Sequence, residues 1–288
     1  MIKIKEFFDK ATFTLTYVVW DPTTLDAVII DPVLDYDPAG SKVSEESVTS
    51  VSSFVDNLQL KLHFILETHA HADHLSGSQF LKTKYPKAKL AIGARITEVQ
   101  KVFKDFFDLG EAFKTDGSQF DHLFADGEKF SAGSLGFEVI YTPGHTPACC
   151  TYKVEDAAFT GDALFMPDYG VGRCDFPAGS AEVLFESVSK RLYVLPDATR
   201  VFTGHDYQPN GRPLRFESSI GEEKRSNIHI KAETSKESFV KFRTDRDKTL
   251  AAPKLLLPSV QVNIDAGHLP APHRNGKSYL SIPISRKA

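Results

Sequence analysis

Residues 69–74 bring together three histidines and one aspartate: His69, His71, Asp73 and His74. Neutral imidazoles and carboxylates are standard protein ligands of borderline divalent metals. A spacing of two residues suits a strand end or a loop, where alternate side chains share a face, and not the helical His-x-x-x-His arrangement. Such groups are costly to bury unless something coordinates them. Because the chain has only ten histidines, a metal site is favoured over a polar surface loop with coincidental histidines.

Three more polar residues repeat one arrangement, in which a His or an Asp follows a short apolar run. They are His145 after 137–141, Asp162 after 157–160 and His205 after 201–203. Open sheets place their sites at strand ends, so these loops and the 69–74 cluster can converge in one cleft. Taken alone, His145 or His205 would be interpreted as a hydrogen-bonded loop histidine. Taken with the cluster, both are predicted to be metal ligands.

The elements that position these residues are short strands separated by helical patterns, which predicts an α/β or α+β sandwich of sheets covered by helices. Strands are predicted within 2–20 and at 27–30, 62–66, 90–92, 137–141, 149–154, 157–160 and 201–203. Helices are predicted at 44–60, from the cluster to about 85, around 96–106 and at 181–195.

The domain organisation is predicted to be a metal-site domain, 1–207, with a C-terminal extension, 208–288, packed on the same domain. Neither a fixed-period repeat nor a low-complexity linker interrupts the sequence. Charge is dense over 222–248, with helical spacing on both sides of Asn227. Because charge runs usually form solvated faces, this stretch is interpreted as a solvated helical cover.

Composition narrows the possible partners. The 288 residues are 41% hydrophobic and 25% charged with a net charge of −4, which is ordinary for a globular protein and excludes disorder and fibrous repeats. Without a basic excess, nucleic acid is not an expected partner.

No apolar run approaches the ~20 residues of a membrane span. Three cysteines, Cys149, Cys150 and Cys174, argue against a disulfide framework, so a soluble cytoplasmic protein is expected, with homo-oligomers left open.

The polar motifs resemble those of a known family. Thr68-His69-x-His71-x-Asp73-His74, then Gly-His145, Gly-Asp162 and a last His205, are similar to the signature of the metallo-β-lactamase superfamily, over about 12–207. The resemblance implies an αββα sandwich, with two mixed sheets flanked by helices and a metal site at the strand ends between them.

Within that superfamily the chain is most similar to the persulfide dioxygenase (sulfur dioxygenase) branch, including β-lactamase-hydrolase-like bacterial members, and is related to glyoxalase II. Three stretches carry this likeness: 142–146, 160–165 and 172–176. The stretches 257–263 and 279–283 resemble the C-terminal extension of the bacterial members.

The resemblance implies one Fe(II) per chain, held by His69, His145 and Asp162. Two histidines and one carboxylate on one face leave open positions for substrate and dioxygen. The remaining polar residues would orient the ligands and bound water: His71, Asp73, His74 and His205. In hydrolase branches the same seven residues hold two zinc ions, and the sequence leaves both occupancies open.

Two further residues are predicted to act in the reaction. Arg173 presents a planar fork of donors that suits a carboxylate. The branch uses thiol carriers such as glutathione, which has two carboxylates. A structural salt bridge is the open alternative for Arg173. Tyr207 would donate to a sulfur or oxygen intermediate, or else pack in the core. Some branch members carry Cys where Val171 stands, so a thiol role there is absent, and Cys174 is not assigned one.

These observations favour an iron-dependent persulfide dioxygenase that converts glutathione persulfide and O2 to sulfite and glutathione, a step of sulfur metabolism. The second hypothesis is a dinuclear zinc hydrolase of a thioester or lactone, similar to glyoxalase II. The third is a non-catalytic metal-binding protein, which is disfavoured because structural zinc sites prefer closed, cysteine-rich ligand sets.

Overall fold

The computed structural model describes residues 1–284. In chain order its strands are β1 (Lys3–Asp9), β2 (Thr14–Trp20), β3 (Asp26–Ile30), β4 (Val33–Asp37), β5 (Lys42–Ser44), β6 (Lys61–Leu66), β7 (Leu75–Ser76), β8 (Lys89–Gly93), β9 (His122–Phe124), β10 (Lys129–Ala132), β11 (Leu135–Tyr141), β12 (Cys150–Val154), β13 (Ala157–Gly161), β14 (Arg200–Thr203) and β15 (Glu217–Ser219). The α-helices are α1 (Glu46–Asn57), α2 (Ser78–Lys84), α3 (Ile96–Phe107), α4 (Ala181–Ser187), α5 (Ile220–Ser226), α6 (Lys236–Asp247) and α7 (Leu256–Asn263).

Two six-stranded mixed sheets form the centre of the molecule. The first has the order β1-β2-β3-β6-β8-β9, with β1, β2 and β3 antiparallel and the later neighbours parallel. The second has the order β10-β11-β12-β13-β14-β15, in which only β13 and β14 are parallel. A small sheet, β5-β4-β7, lies beside them. The predicted pair of mixed sheets is confirmed.

The apolar residues divide into layers that match this sandwich. One buried cluster contains Val28 of β3 and Val139 of β11, so it fills the space between the two large sheets. A second joins the other face of the first sheet to α1, α3 and α7. A third joins Val201 of β14 to α4, α5 and α6. Helices therefore cover both outer faces, which confirms the predicted αββα order.

Local sequence explains the elements that were predicted. In β2, consecutive β-branched and aromatic residues favour extended backbone, and six of its seven residues are buried. In α1, Val48, Val51 and Val55 recur at helical spacing and are the valines buried on one face. The helix predicted at 181–195 differs, because α4 ends at Ser187 and a π-helical turn, Val188–Leu192, continues it.

The charged stretch 222–248 is less solvated than predicted. Glu223 of α5 and both Arg243 and Asp247 of α6 are buried. Arg243 Nη2 donates to Asp247 Oδ1 at 2.5 Å, one helical turn away. The solvated-cover interpretation is therefore wrong for these three residues, since both helices also bury an apolar face against the second sheet.

The C-terminal extension contributes to the sheets and cores, although its last residues, 285–288, lie outside the described part. β15 pairs with β14 in the second sheet. Val260 and Ile264, in and directly after α7, are fully buried in the cluster outside the first sheet. Among residues 1–284, no helix has the length and apolar character to cross a bilayer. The boundary predicted at residue 207 stays a prediction.

Candidate metal centre

The loops that follow β6, β11, β13 and β14 meet at one point of the sandwich. They bring all seven predicted residues together as two groups: His69, His145 and Asp162 in one, and His71, Asp73, His74 and His205 in the other. In each group, one nitrogen or oxygen atom per residue lies within 4.8 Å of all the others. The convergence predicted from four strand ends is therefore observed.

The two groups are adjacent. His145 Nε2 lies 3.6 Å from Asp162 Oδ2, inside the first group. His205 Nε2 lies 3.2 Å from Asp73 Oδ2, inside the second. The same His205 nitrogen is 3.4 Å from Asp162 Oδ1, so Asp162 lies between the groups.

The donor atoms of these groups fit a metal. Histidines and aspartates in this region carry buried polar atoms without a hydrogen-bond partner among residues 1–284: His69 Nε2, His71 Nδ1, Asp73 Oδ2, His74 Nε2, Asp162 Oδ1 and His205 Nε2. Unpartnered polar atoms are rare in protein interiors because each loses its hydration without compensation. A bound divalent cation would satisfy them.

Hydrogen bonds fix which ring nitrogen is free on two histidines. His145 Nδ1 donates to the Arg173 carbonyl at 2.6 Å, which leaves Nε2 as the lone-pair nitrogen. His69 Nδ1 lies 3.0 Å from Thr68 Oγ1, whose own proton goes to Asp31 Oδ2 at 2.8 Å. His69 Nδ1 must then donate, so its Nε2 is also free to bind a cation.

His71 is held by two buried carboxylates. Its Nε2 lies 3.0 Å from Asp31 Oδ1 and 3.5 Å from Glu67 Oε2. Burial lowers the pKa of His71, but the two carboxylates outweigh it, so the pKa is raised well above the ordinary value. The pKa of His69 is instead lowered, by burial and then by the neighbouring histidines. The electrostatic environments of the two histidines therefore differ, although their ring centroids are only 4.0 Å apart.

Glycine is required directly before two of the predicted ligands. Gly144 has φ +137°, and an added Cβ would lie 2.4 Å from the Leu184 Cα. Gly161 has φ +50°, and its Cβ would lie 2.5 Å from Thr68 Oγ1. Both positions favour glycine by backbone angle and by space, so the turns that aim His145 and Asp162 depend on it.

A cleft of about 540 Å³ opens over the site and includes Asp73, His145 and Asp162 in its lining. Aromatic residues contribute further lining: Phe13, Phe165, Tyr169 and Tyr207. Cationic side chains also line it: Arg173, Arg243, Arg246 and Lys254. In the part of the chain described, Arg246 and Lys254 form no ion pair. The cleft thus combines apolar surface with unpaired positive charge.

The guanidinium fork of Arg173 is engaged within the protein. Its Nε and Nη2 donate to the two carboxylate oxygens of Asp175, both at 2.5 Å, and Nη1 donates to the Ala251 carbonyl at 2.7 Å. The salt bridge considered from sequence is therefore formed. Recognition of a substrate carboxylate by Arg173 stays a prediction, and the substrate would use the two remaining guanidinium N–H groups or compete with Asp175.

Tyr207 is packed among aromatic rings at the cleft. Its ring stacks on Tyr169, with centroids 4.6 Å apart, and lies 5.5 Å from the His205 ring. Burial raises its pKa well above the ordinary value, so the phenol stays protonated. Both sequence-based interpretations of Tyr207 therefore stay open: it packs in the core, or it donates a hydrogen bond in the reaction.

A family model described as the metallo-beta-lactamase superfamily matches residues 9–205. The chain belongs to this superfamily. The predicted family is confirmed, and with it a fold shared with metal-dependent enzymes. The metallo-β-lactamase match ends at His205, so everything after that residue lies outside the matched region.

Two curated relatives of this metallo-β-lactamase superfamily protein carry hydrolase or glyoxalase names. A probable metallo-hydrolase of Burkholderia pseudomallei is 47% identical over 98% of this chain and 98% of its own length. Glyoxylase B2 of Dictyostelium discoideum is 48% identical over 98% of this chain and 97% of its own length.

Other relatives carry the persulfide dioxygenase name. The mitochondrial persulfide dioxygenase ETHE1 of Homo sapiens is 31% identical over 84% of this chain and 80% of its own length. The crystal structure of ETHE1 from Myxococcus xanthus superposes with a TM-score of 0.74 at 33% identity, covering 92% of this chain and 100% of the other. The predicted likeness to this branch is confirmed.

Sequence reasoning missed three buried polar residues around the site: Asp31, Glu67 and Asn263. Asp31 could have been predicted from the sequence, because it follows the apolar stretch 27–30, just as His145 and Asp162 follow apolar stretches. Glu67 directly precedes the histidine motif, but its position alone does not distinguish it from a surface residue. The sequence around Asn263 does not indicate a role at the site, since this residue reaches the site only through the fold of the C-terminal extension.

Proposed function

We propose that this protein is an iron(II)-dependent dioxygenase that oxidises a small thiol persulfide, such as glutathione persulfide, to sulfite and the free thiol. The balanced reaction consumes one persulfide (RSSH), one O2 and one water, and gives the thiol (RSH), sulfite and two protons. The observation that carries the proposal is the His69, His145 and Asp162 group, of which His145 and Asp162 line the cleft, in a chain 31–33% identical to proteins named persulfide dioxygenase or ETHE1.

The residues proposed to hold the iron are His69, His145 and Asp162. Two neutral histidines and one carboxylate on one side are the ligand set of many non-haem iron oxygenases. When bound, iron(II) would supply open coordination positions and the electrons that activate dioxygen. The chain itself directs the Nε2 atoms of His69 and His145 through the hydrogen bonds at their Nδ1 atoms.

The cleft supports an anionic thiol carrier as the substrate. Arg246 and Lys254 line it without an ion pair among the described residues, so a carboxylate would find cations that need no displacement. Aromatic surface from Phe13, Phe165 and Tyr169 would cover the less polar part of the carrier and exclude water near its sulfur. Tyr207 lines the same cleft, and the proposal gives its hydroxyl the role of a hydrogen-bond donor to the substrate.

A second candidate is a dinuclear zinc hydrolase of a thioester or lactone. It is favoured by the second group of residues, since His71, Asp73, His74 and His205 offer four more donor atoms within 4.8 Å of one another. It is also favoured by the hydrolase and glyoxalase names of relatives that are 47% and 48% identical. Two metals would satisfy more of the unpartnered atoms than one.

We also propose that the reaction takes place in the cytoplasm. Cys149, Cys150 and Cys174 are buried and free of disulfides. Burial raises the pKa of Cys149 and of Cys150 to about 12, which makes both thiols unreactive at neutral pH. Three reduced cysteines support a reducing compartment.

The deciding experiment combines metal analysis with two activity assays. Protein purified without chelators is measured for iron and zinc, then assayed for O2 consumption with glutathione persulfide and for hydrolysis of a glutathione thioester. The dioxygenase proposal expects one iron per chain, O2 uptake matched by sulfite, and no thioester cleavage. Two zinc ions per chain in a preparation that cleaves the thioester without O2 uptake would reject it in favour of the hydrolase.

A further inference from the structure

Asn263, the last residue of α7, lies against the histidine-rich loop and is only 4% exposed. Its Nδ2 donates to the His71 carbonyl and to the His74 carbonyl, both at 2.8 Å. Its Oδ1 accepts from the Ser76 backbone N–H, also at 2.8 Å. Both donors and the acceptor of one amide are therefore used on the six-residue stretch 71–76, which contains the end of the histidine loop and β7.

Glu67 and Thr68, at the start of this loop, form other backbone hydrogen bonds, but residues 69–74 form none among residues 1–284 apart from those to Asn263. Residues 67–74 form no helix or strand between β6 and β7. Within residues 1–284, no backbone N–H bonds to the carbonyls of His71 or His74. Removing one partner of a buried polar group leaves the other unpaired, which costs more than the bond itself contributes. Without Asn263, two buried carbonyls would have to move toward another donor.

We propose that Asn263 is a positioning residue, which fixes the backbone of the histidine loop and so sets the direction of the side chains of His71, Asp73 and His74. It acts through the loop and touches neither substrate nor metal. The inference concerns a residue of the C-terminal extension, outside the 9–205 region that matches the superfamily. It holds for either metal chemistry, so it does not depend on the proposed dioxygenase activity.

The same helix provides a matched control. Gln261 is also a buried amide that uses two donors and one acceptor: its Nε2 donates to the Leu257 and Ser281 carbonyls and its Oε1 accepts from the Ser281 N–H, each at 2.8 Å. Its partners lie within α7 and the C-terminal stretch, away from the histidine loop. Asn263→Asp and Gln261→Glu therefore make the same near-isosteric change, in which an amide donor becomes an acceptor.

The experiment measures metal binding without substrate. Each full-length variant is loaded with cobalt(II), its visible spectrum is recorded, and cobalt loss to excess EDTA is timed. We expect Asn263→Asp to lose cobalt about 10- to 100-fold faster, with a changed spectrum, because the same loop backbone carries His69, a ligand in both proposed metal arrangements, and loss of an outer contact to a metal ligand has effects of that size. We expect Gln261→Glu to stay within about twofold of the unmodified protein. Equal rates and equal spectra for the two variants would overturn the proposal.

A measurement on the unmodified protein guards against a variant that does not fold. The Ser76 amide, bonded to Asn263 Oδ1, should exchange its hydrogen as slowly as the amides of the central strand β6. Exchange at the rate of an open loop would overturn the proposal. Neither readout involves the reaction, so failure here leaves the dioxygenase proposal standing, and loss of that proposal leaves this one unaffected.

Discussion

At the scale of single residues, the histidines of the metal site differ in which group holds one of their ring nitrogens. His145 is oriented by a backbone carbonyl and His69 by the hydroxyl of Thr68, so both present a free Nε2. His71 is held by the carboxylate of Asp31 and lies near that of Glu67. Because a neutral imidazole is the ligand form, the lowered pKa of His69 favours its use as a metal ligand.

The first prediction separates the proposed ligands from their neighbours. Replacing His69, His145 or Asp162 by Ala removes one of three proposed iron ligands, so metal content and activity should fall together to near zero. Replacing His71 or His205 by Ala should reduce activity about 10- to 100-fold while metal is retained. Elemental analysis and steady-state rates on the same preparations provide the check.

The control for these variants is His122→Ala, because His122 is a half-buried histidine paired with Glu128 and is not part of the cleft lining. It should keep full metal content. Complete metal loss in His71→Ala, equal to that in His69→Ala, would contradict the single-metal arrangement and favour two metals.

The second prediction concerns Arg173. If Arg173 binds the substrate carboxylate, Asp175 competes for the same fork, so Asp175→Asn should lower KM. Arg173→Lys keeps the charge but loses the bidentate geometry, and should raise KM about 10-fold or more with kcat preserved. Steady-state kinetics with glutathione persulfide measure both. An unchanged KM in both variants, with reduced thermal stability, would assign Arg173 to the salt bridge alone.

At the scale of elements, the sequence predicted those strands and helices whose apolar pattern is strong, such as β2 and α1. It missed the short strands β5, β7 and β9, because two or three residues carry no usable periodicity. It also predicted solvation for charged residues that are buried, because ion pairs and hydrogen bonds formed on folding are invisible to a charge count. The four metal-site loops were predictable because each directly follows an apolar strand.

The third prediction uses the buried carboxyl group in α5. Burial raises the pKa of Glu223 to about 8, although Ser218 and Asn227 donate to it. Since the folded pKa lies above the unfolded one, near 4.5, its contribution to stability is complete below about pH 4.5 and is lost as pH rises through 8, at up to about 1.4 kcal/mol per pH unit. Glu223→Gln should therefore be more stable than the unmodified protein at pH 9.

Urea unfolding at pH 5 and pH 9 tests this prediction. The difference between Glu223→Gln and the unmodified protein should grow with pH, whereas the exposed Glu237→Gln should show a small, constant difference. A pH-independent difference for Glu223→Gln would mean that this carboxyl group titrates normally.

At the scale of the whole molecule, one buried cluster lies between the two large sheets, and two more connect their outer faces to helices from both ends of the chain. The cluster outside the first sheet contains Val51 of α1 together with Val260 and Ile264 from the C-terminal extension. An extension that shares a core with the matched domain should unfold with it as one cooperative unit.

The fourth prediction tests whether the extension and the matched domain unfold together. Ile264 is fully buried, so Ile264→Ala should lower the free energy of unfolding by about 2–5 kcal/mol. Fluorescence of Trp20, the single tryptophan, and circular dichroism should shift together to lower urea. The exposed Ile282→Ala, at 64% exposure, should change neither. Two separate transitions in Ile264→Ala would instead show an extension that unfolds on its own.

The contact between Asn263 and His74 also has a consequence for biosynthesis, because the two residues are 189 positions apart. A ribosome that adds about 5–20 residues per second completes the histidine loop roughly 10–40 s before it adds the asparagine that holds it. During that interval the histidines are already translated, but the carbonyls of His71 and His74 lack the amide of Asn263. Tight metal capture should therefore follow translation of α7, and nascent chains stalled before it should release metal readily to a cellular chelator.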